Sequence, residues 1–144
     1  MNASDARARS SGAVEGGVGV LLRVEGLVLF LGATVMFGLL HGRWSRYGLL
    51  FLFPDLSFVL YLAGPKAGTV AYNALHSTIG PVLLGLAGYL GGVTWTGPFA
   101  LIWLAHIGFD RAAGFGLKYA SAFGDTHLGV TGTARTGSVR ETTA

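Results

Sequence analysis

The chain has 144 residues, of which 51% are hydrophobic and only 12% charged, with a formal net charge of +3. An ordinary soluble domain is about 25% charged, so this chain lacks the polar surface that water demands, and its apolar residues come in long blocks, as membrane spans do. The ten Lys and Arg sit at segment ends with no basic stripe of interleaved aromatics, which excludes a nucleic-acid binder, and the absence of cysteine excludes disulfides, thiolate ligands and cysteine nucleophiles.

In chain order, residues 1–17 are polar and rich in Gly, Ala and Ser, and are expected to be disordered. The first apolar block follows without a small-residue cleavage site, so it reads as a retained span over 18–40, long enough for a hydrocarbon layer of ~30 Å. A polar break with the interfacial Trp44 leads to span two, 47–63, which Pro54 and Asp55 interrupt. Residues 64–68 have the turn chemistry to end that helix. Span three covers 69–90 and ends at Gly91-Gly92, and span four covers 95–113, from Trp95 and Pro98 to Asp110-Arg111. A capping segment follows to residue 129, and 130–144 reads as a disordered tail. The fold class predicted is all-α: a polytopic membrane four-helix bundle over 18–129, with Gly80, Gly85 and Gly88 permitting close helix approach.

Four crossings put Arg7, Arg9, Arg23, Lys66, Arg111, Lys118, Arg135 and Arg140 on one side and only Arg43 and Arg46 on the other. The excess of basic flanks on the cytoplasmic side places both termini in the cytoplasm and the protein in the plasma (inner) membrane.

A titratable group at mid-span costs about 2.5–3.5 kcal/mol on insertion scales, so each requires a partner or a purpose. Glu25, His76, His106 and Asp110 fall within ~12 Å of the cytoplasmic boundary at 1.5 Å per residue, and Asp55 is nearer mid-span. His106 and Asp110, four apart, share a helix face and can chelate a metal or pair with each other. Tyr72 and Asn73, one turn before His76, can touch a ligand or orient the histidine. The bland reading is structural: ion pairs gluing the bundle, Glu25 paired with Arg23, Arg111 or Lys118, Asp55 capping a helix after Pro54. His41 lies in the outward loop and is set aside as a solvated interfacial residue.

The segments Arg23-x-Glu25-Gly26, Pro54-Asp55-Leu56-Ser57, Tyr72-Asn73-x-x-His76, the run from Trp103 to Tyr119, and Phe123-x-x-Thr126-His127-Leu128-Gly129 resemble one family of small membrane proteins, domain of unknown function four-two-six-zero. Phe115 stands where that family leads one to expect tyrosine. The resemblance implies a four-span protein with motif residues Glu25, Asp55, Tyr72, Asn73, His76, His106, Asp110, Arg111, Lys118, Thr126 and His127, and implies no activity. The order Asp, His, His-x-x-x-Asp, His is also similar to the ligands of helical zinc-dependent phospholipase C enzymes. That likeness implies His76, His106, Asp110 and His127 as metal ligands, with Asp55 a further one.

The leading functional expectation is a metal-dependent hydrolase of a phosphoester or lipid. In it a divalent ion, zinc or similar, sits on His76, His106, Asp110 and His127. Asp55 or Glu25 serves as general base, and Arg111, Lys118, Tyr72 and Asn73 hold the substrate. The alternatives are a haem-binding or electron-transfer protein with His76 and His106 as axial ligands, and a proton or cation transport component, which needs a homo-oligomer to widen its pore. Membrane lipid is the expected partner.

Overall fold

The computed structural model describes residues 14, 16–119 and 125–130. The segments expected to be disordered lie outside them up to residue 13 and from 131 onward.

Helix α1, Gly17–Leu39, is a continuous run of 23 residues, ~34 Å at 1.5 Å per residue. Helix α2, Trp44–Phe51, passes through Leu52 into a 3₁₀ segment, Phe53–Ala63. Proline has no N–H to give, and its ring crowds the preceding turn. At Pro54 the winding tightens, and Asp55 N–H reaches back three residues to the Leu52 carbonyl at 3.1 Å. The two pieces form one apolar helical run of 20 residues, beginning three residues before the predicted span.

The predicted third span is two helices. Helix α3, Pro65–Leu75, and helix α4, Ile79–Leu90, meet at 47° across residues 76–78. Pro81, in the first turn of α4, cannot extend a helical ladder back to Ser77, which accounts for the break. The expected turn over 64–68 is also corrected: Gly64, at φ 116°, reverses the chain alone, and Pro65 opens α3, its fixed φ suited to a first helical turn.

Helix α5, Thr96–Ala113, is the hub on which α1, α2, the 3₁₀ segment and α4 pack. It ends on Gly114 at φ 93°, where the Gly114 and Phe115 N–H groups return to the Arg111 and Asp110 carbonyls at 3.0 and 2.7 Å. Its contact with α1 is antiparallel and made backbone to backbone. A Cβ on Gly108 would stand 2.5 Å from the Phe30 nitrogen, and one on Gly26 would stand 2.7 Å from the Ala112 nitrogen.

Two helical runs, Gly17–Leu39 and Trp44–Ala63, are long and apolar enough to cross a membrane, and the bent pair α3–α4 makes a third. Helix α5 is not among them, because His106, Asp110 and Arg111 lower its hydropathy. The bundle turns apolar side chains outward, with Leu62 90% and Leu49 81% exposed, a surface suited to lipid and not to water. Among the described residues the protein is an all-α membrane protein save for one small hairpin, β1 Asp125–Thr126 against β2 Gly129–Val130. That hairpin returns to the start of α1, where Val14 N–H donates to the His127 carbonyl at 2.8 Å.

Candidate metal centre

Both irregular spans break where they deliver a polar side chain. Asp55 sits in the first turn of the 3₁₀ segment, and His76 caps α3 at the bend. The regular helix α5 supplies His106 and Asp110 from one face. Among the described residues these four form a group whose ligand atoms all lie within 4.8 Å of one another.

The five separations that involve a histidine nitrogen are nearly equal. Asp55 Oδ1 lies 3.5 Å from His76 Nε2 and 3.6 Å from His106 Nε2. Asp110 Oδ2 lies 3.4 Å and 3.5 Å from the same two nitrogens, which are 3.3 Å apart. A tetrahedral ion about 2.1 Å from each ligand has edges of about 3.4 Å. Five of the six edges therefore match a tetrahedral coordination shell, and the sixth, from Asp55 to Asp110, is within 4.8 Å.

The hydrogen bonding fixes what His76 offers. Its Nδ1 lies 2.9 Å from the Tyr72 carbonyl, an acceptor only, so Nδ1 carries the proton and donates it. Nε2 of the neutral ring then presents a lone pair to the centre, the arrangement typical of metal-bound histidine. The Tyr72 ring stacks on the His76 ring at 3.7 Å and 14°, which fixes its plane. From α5, Trp103 Nε1 donates to the Leu75 carbonyl at 2.6 Å and so caps the end of α3 beside His76. The His106 ring packs edge-on against Phe51; its Nδ1 is buried without a bond of good geometry, although the Phe51 backbone lies toward it. Two imidazoles and two carboxylates that converge in a largely buried site could hold a cation between them.

The carboxylates form the open side. Both histidines are buried, whereas Asp110 is 16% and Asp55 35% exposed at the side chain. They border a cavity of about 260 Å³ whose wall also carries Phe58, Tyr72 and Lys118. The Lys118 ammonium stands 4.5 Å from the Tyr72 ring centroid, 4.7 Å from that of Phe58 and 5.4 Å from that of Tyr61. Burial lowers its pKa, and Asp110 and Asp55 oppose that shift. Asn73 fixes the lysine's backbone with two hydrogen bonds, so it anchors the tail and does not face the cavity.

Three expected site residues stand apart from this group. Glu25 is exposed on α1 and acts on Arg111, which in turn acts on His127, so these residues form a second polar set at the helix ends. His127 Nδ1 accepts the Leu117 N–H at 2.8 Å, which commits that nitrogen to the tail. Burial holds the His127 pKa down, and the positive charge of Arg111 adds to that lowering. The haem expectation gains no support, because axial ligands stand on opposite faces of a porphyrin and a 3.3 Å gap between the nitrogens leaves no room for one. Sequence reasoning missed Trp103, Phe58 and Tyr61. Trp103 carried a usable signal, lying three residues before His106 on one helix face.

The model of one family, described as Domain of unknown function (DUF4260), matches residues 19–131. No curated protein and no solved structure matches the chain.

Proposed function

We propose that this chain, which belongs to the DUF4260 family, is an integral membrane metalloprotein that holds one divalent cation, zinc or a close relative, on Asp55, His76, His106 and Asp110. The observation that carries the reading is the set of five near-equal 3.3–3.6 Å separations among the four ligand atoms, all of which lie within 4.8 Å of one another. The Tyr72 carbonyl, which fixes the His76 tautomer, supports it independently.

The reading extends to hydrolysis of a phosphoester or lipid ester. A bound divalent cation polarises a phosphoryl or acyl oxygen and makes water a better nucleophile. The chain adds a cavity against the carboxylate side, Lys118 in its wall to attract an anionic group, and Asp55, the most exposed ligand, to accept a proton. We further take α5 as a fourth crossing, completing a four-helix bundle with both termini in the cytoplasm. The distribution of basic residues and the bond from Val14 to His127, which joins the start of α1 to the hairpin after α5, support that topology.

Metal analysis of purified wild type beside His106→Ala tests the metal, and turnover of a chromogenic phosphodiester and a labelled phospholipid tests the chemistry. About one equivalent of metal in wild type, lost with the imidazole, is expected. Wild type without stoichiometric metal after incubation with zinc, manganese and iron salts would sink the proposal. Metal present but no hydrolysis of either substrate would leave a metalloprotein and remove the hydrolase.

A further inference from the structure

A second cavity, of about 360 Å³, lies at the other end of α5. It shares no lining residue with the cavity beside Asp55 and Asp110, although Ile102 in its floor lies one turn before His106. Its floor is apolar, with Phe37, Leu50, Phe99 and Ile102, and its rim carries His41, Arg43 and Arg46.

Two features make this a site for an anion. The first is charge without compensation. Both arginines are exposed, and the nearest acidic residues in sequence are Glu25 and Asp55. Asp55 belongs to the metal group, and neither arginine forms an ion pair among the described residues. The second is helix direction. Arg43 is the N-cap of α2 and Trp95 the N-cap of α5, and neither start has a side-chain cap. Both N-caps line the one cavity, so the positive ends of two helix dipoles meet there.

His41 is held at φ 53°, a left-handed conformation that costs a non-glycine residue energy. Two backbone bonds, His41 to Gly38 at 3.0 Å and Gly42 to Phe37 at 3.1 Å, maintain that tight turn at the rim.

We infer that this cavity binds one anionic phospholipid at the membrane surface opposite the metal centre, its phosphate between Arg43 and Arg46 and an acyl chain on the floor formed by Phe37, Leu50, Phe99 and Ile102. The combination of a cationic rim and an apolar floor is what distinguishes a lipid from a free anion. A free phosphate would use the rim and leave the floor open to water. A zwitterionic lipid would bring its own cation against the arginines.

Native mass spectrometry of the full chain released from micelles of mixed phosphatidylglycerol and phosphatidylcholine tests this. Wild type is expected to retain one phosphatidylglycerol in preference to phosphatidylcholine, and Arg43→Gln/Arg46→Gln to retain it at least tenfold less. Leu50→Trp, which fills the floor and keeps both arginines, is expected to expel the lipid as well, and it decides the matter if the double variant loses its helical circular dichroism. Equal retention of the two lipids, or undiminished retention in folded variants, would overturn the inference. So would inorganic phosphate raising the melting temperature as much as phosphatidylglycerol at matched concentration.

Discussion

Asn73 and Lys118 are 45 residues apart and joined by a reciprocal pair of hydrogen bonds: Asn73 Nδ2 donates to the Lys118 carbonyl, and Lys118 N–H donates to Asn73 Oδ1, each at 2.8 Å. The side-chain amide stands in for a strand, offering one donor and one acceptor to a chain that has just left α5. This bond pair places the Lys118 ammonium against Tyr72 and Phe58 beside the metal centre.

Asn73→Leu removes both hydrogen bonds to the Lys118 backbone at nearly the same volume, a loss of about 0.5–1.5 kcal/mol for each bond. Because the loss is local, the helices are expected to keep their circular dichroism while the Lys118 amine becomes severalfold more reactive toward an acylating reagent, as read by peptide mass mapping. Unchanged Lys118 reactivity would show that Asn73 does not anchor the tail.

Trp103→Phe keeps the aromatic bulk and removes only the donor to the Leu75 carbonyl. Losing a group that orients a metal-binding histidine costs on the order of tenfold or more in metal affinity. Tyr72→Phe keeps both the backbone acceptor and the stacked ring, so it is expected to bind metal as wild type does. A competition titration with a chromogenic chelator compares the two variants.

Gly108→Ala places a methyl group 2.5 Å from the Phe30 nitrogen, a contact only movement of the α1 backbone can relieve. Overpacking of this kind costs about 1–3 kcal/mol or more, and a lower melting temperature in detergent is the expected outcome. Gly97, on the same helix with nothing within 4 Å of its added Cβ, is the control, and Gly97→Ala is expected to be neutral or slightly stabilising.

The His127 pKa is held below its ordinary value, so the folded state binds fewer protons than the unfolded state near and below pH ~6.5. Stability therefore rises with pH through this window. The histidine's contribution is present above ~6.5 and is lost as pH falls through the lowered folded value. Protonation also takes the Nδ1 lone pair from the Leu117 N–H. Melting temperatures of wild type and His127→Gln, measured from pH 5 to 8, should differ in slope below ~6.5 and run parallel above it. Parallel curves throughout would remove His127 from the pH response.

Much of the fold was legible because burial in lipid writes itself into the sequence as uninterrupted apolar runs, and α1 appeared within one residue of the predicted start and end. The His106–Asp110 pair was legible because four residues make about one helical turn. Glu25 shows where that reasoning stops. Position along a span gives depth but not direction, and Glu25 lies at a suitable depth yet about 100° around α1 from Gly26, the residue that touches α5. The break at residues 76–78 was hidden for a related reason: an apolar run has the same hydropathy bent or straight, and only Pro81 marked the bend.

The contact of Gly26 with Gly108 joins the first helix to the last, and the four ligand side chains are complete only at Asp110. In chain order Asp55 and His76 come before α5, which supplies the remaining two members of the group, His106 and Asp110. The four-residue group is therefore assembled only once α5 has packed into place, and an ion proposed to sit there would be held only from that point on.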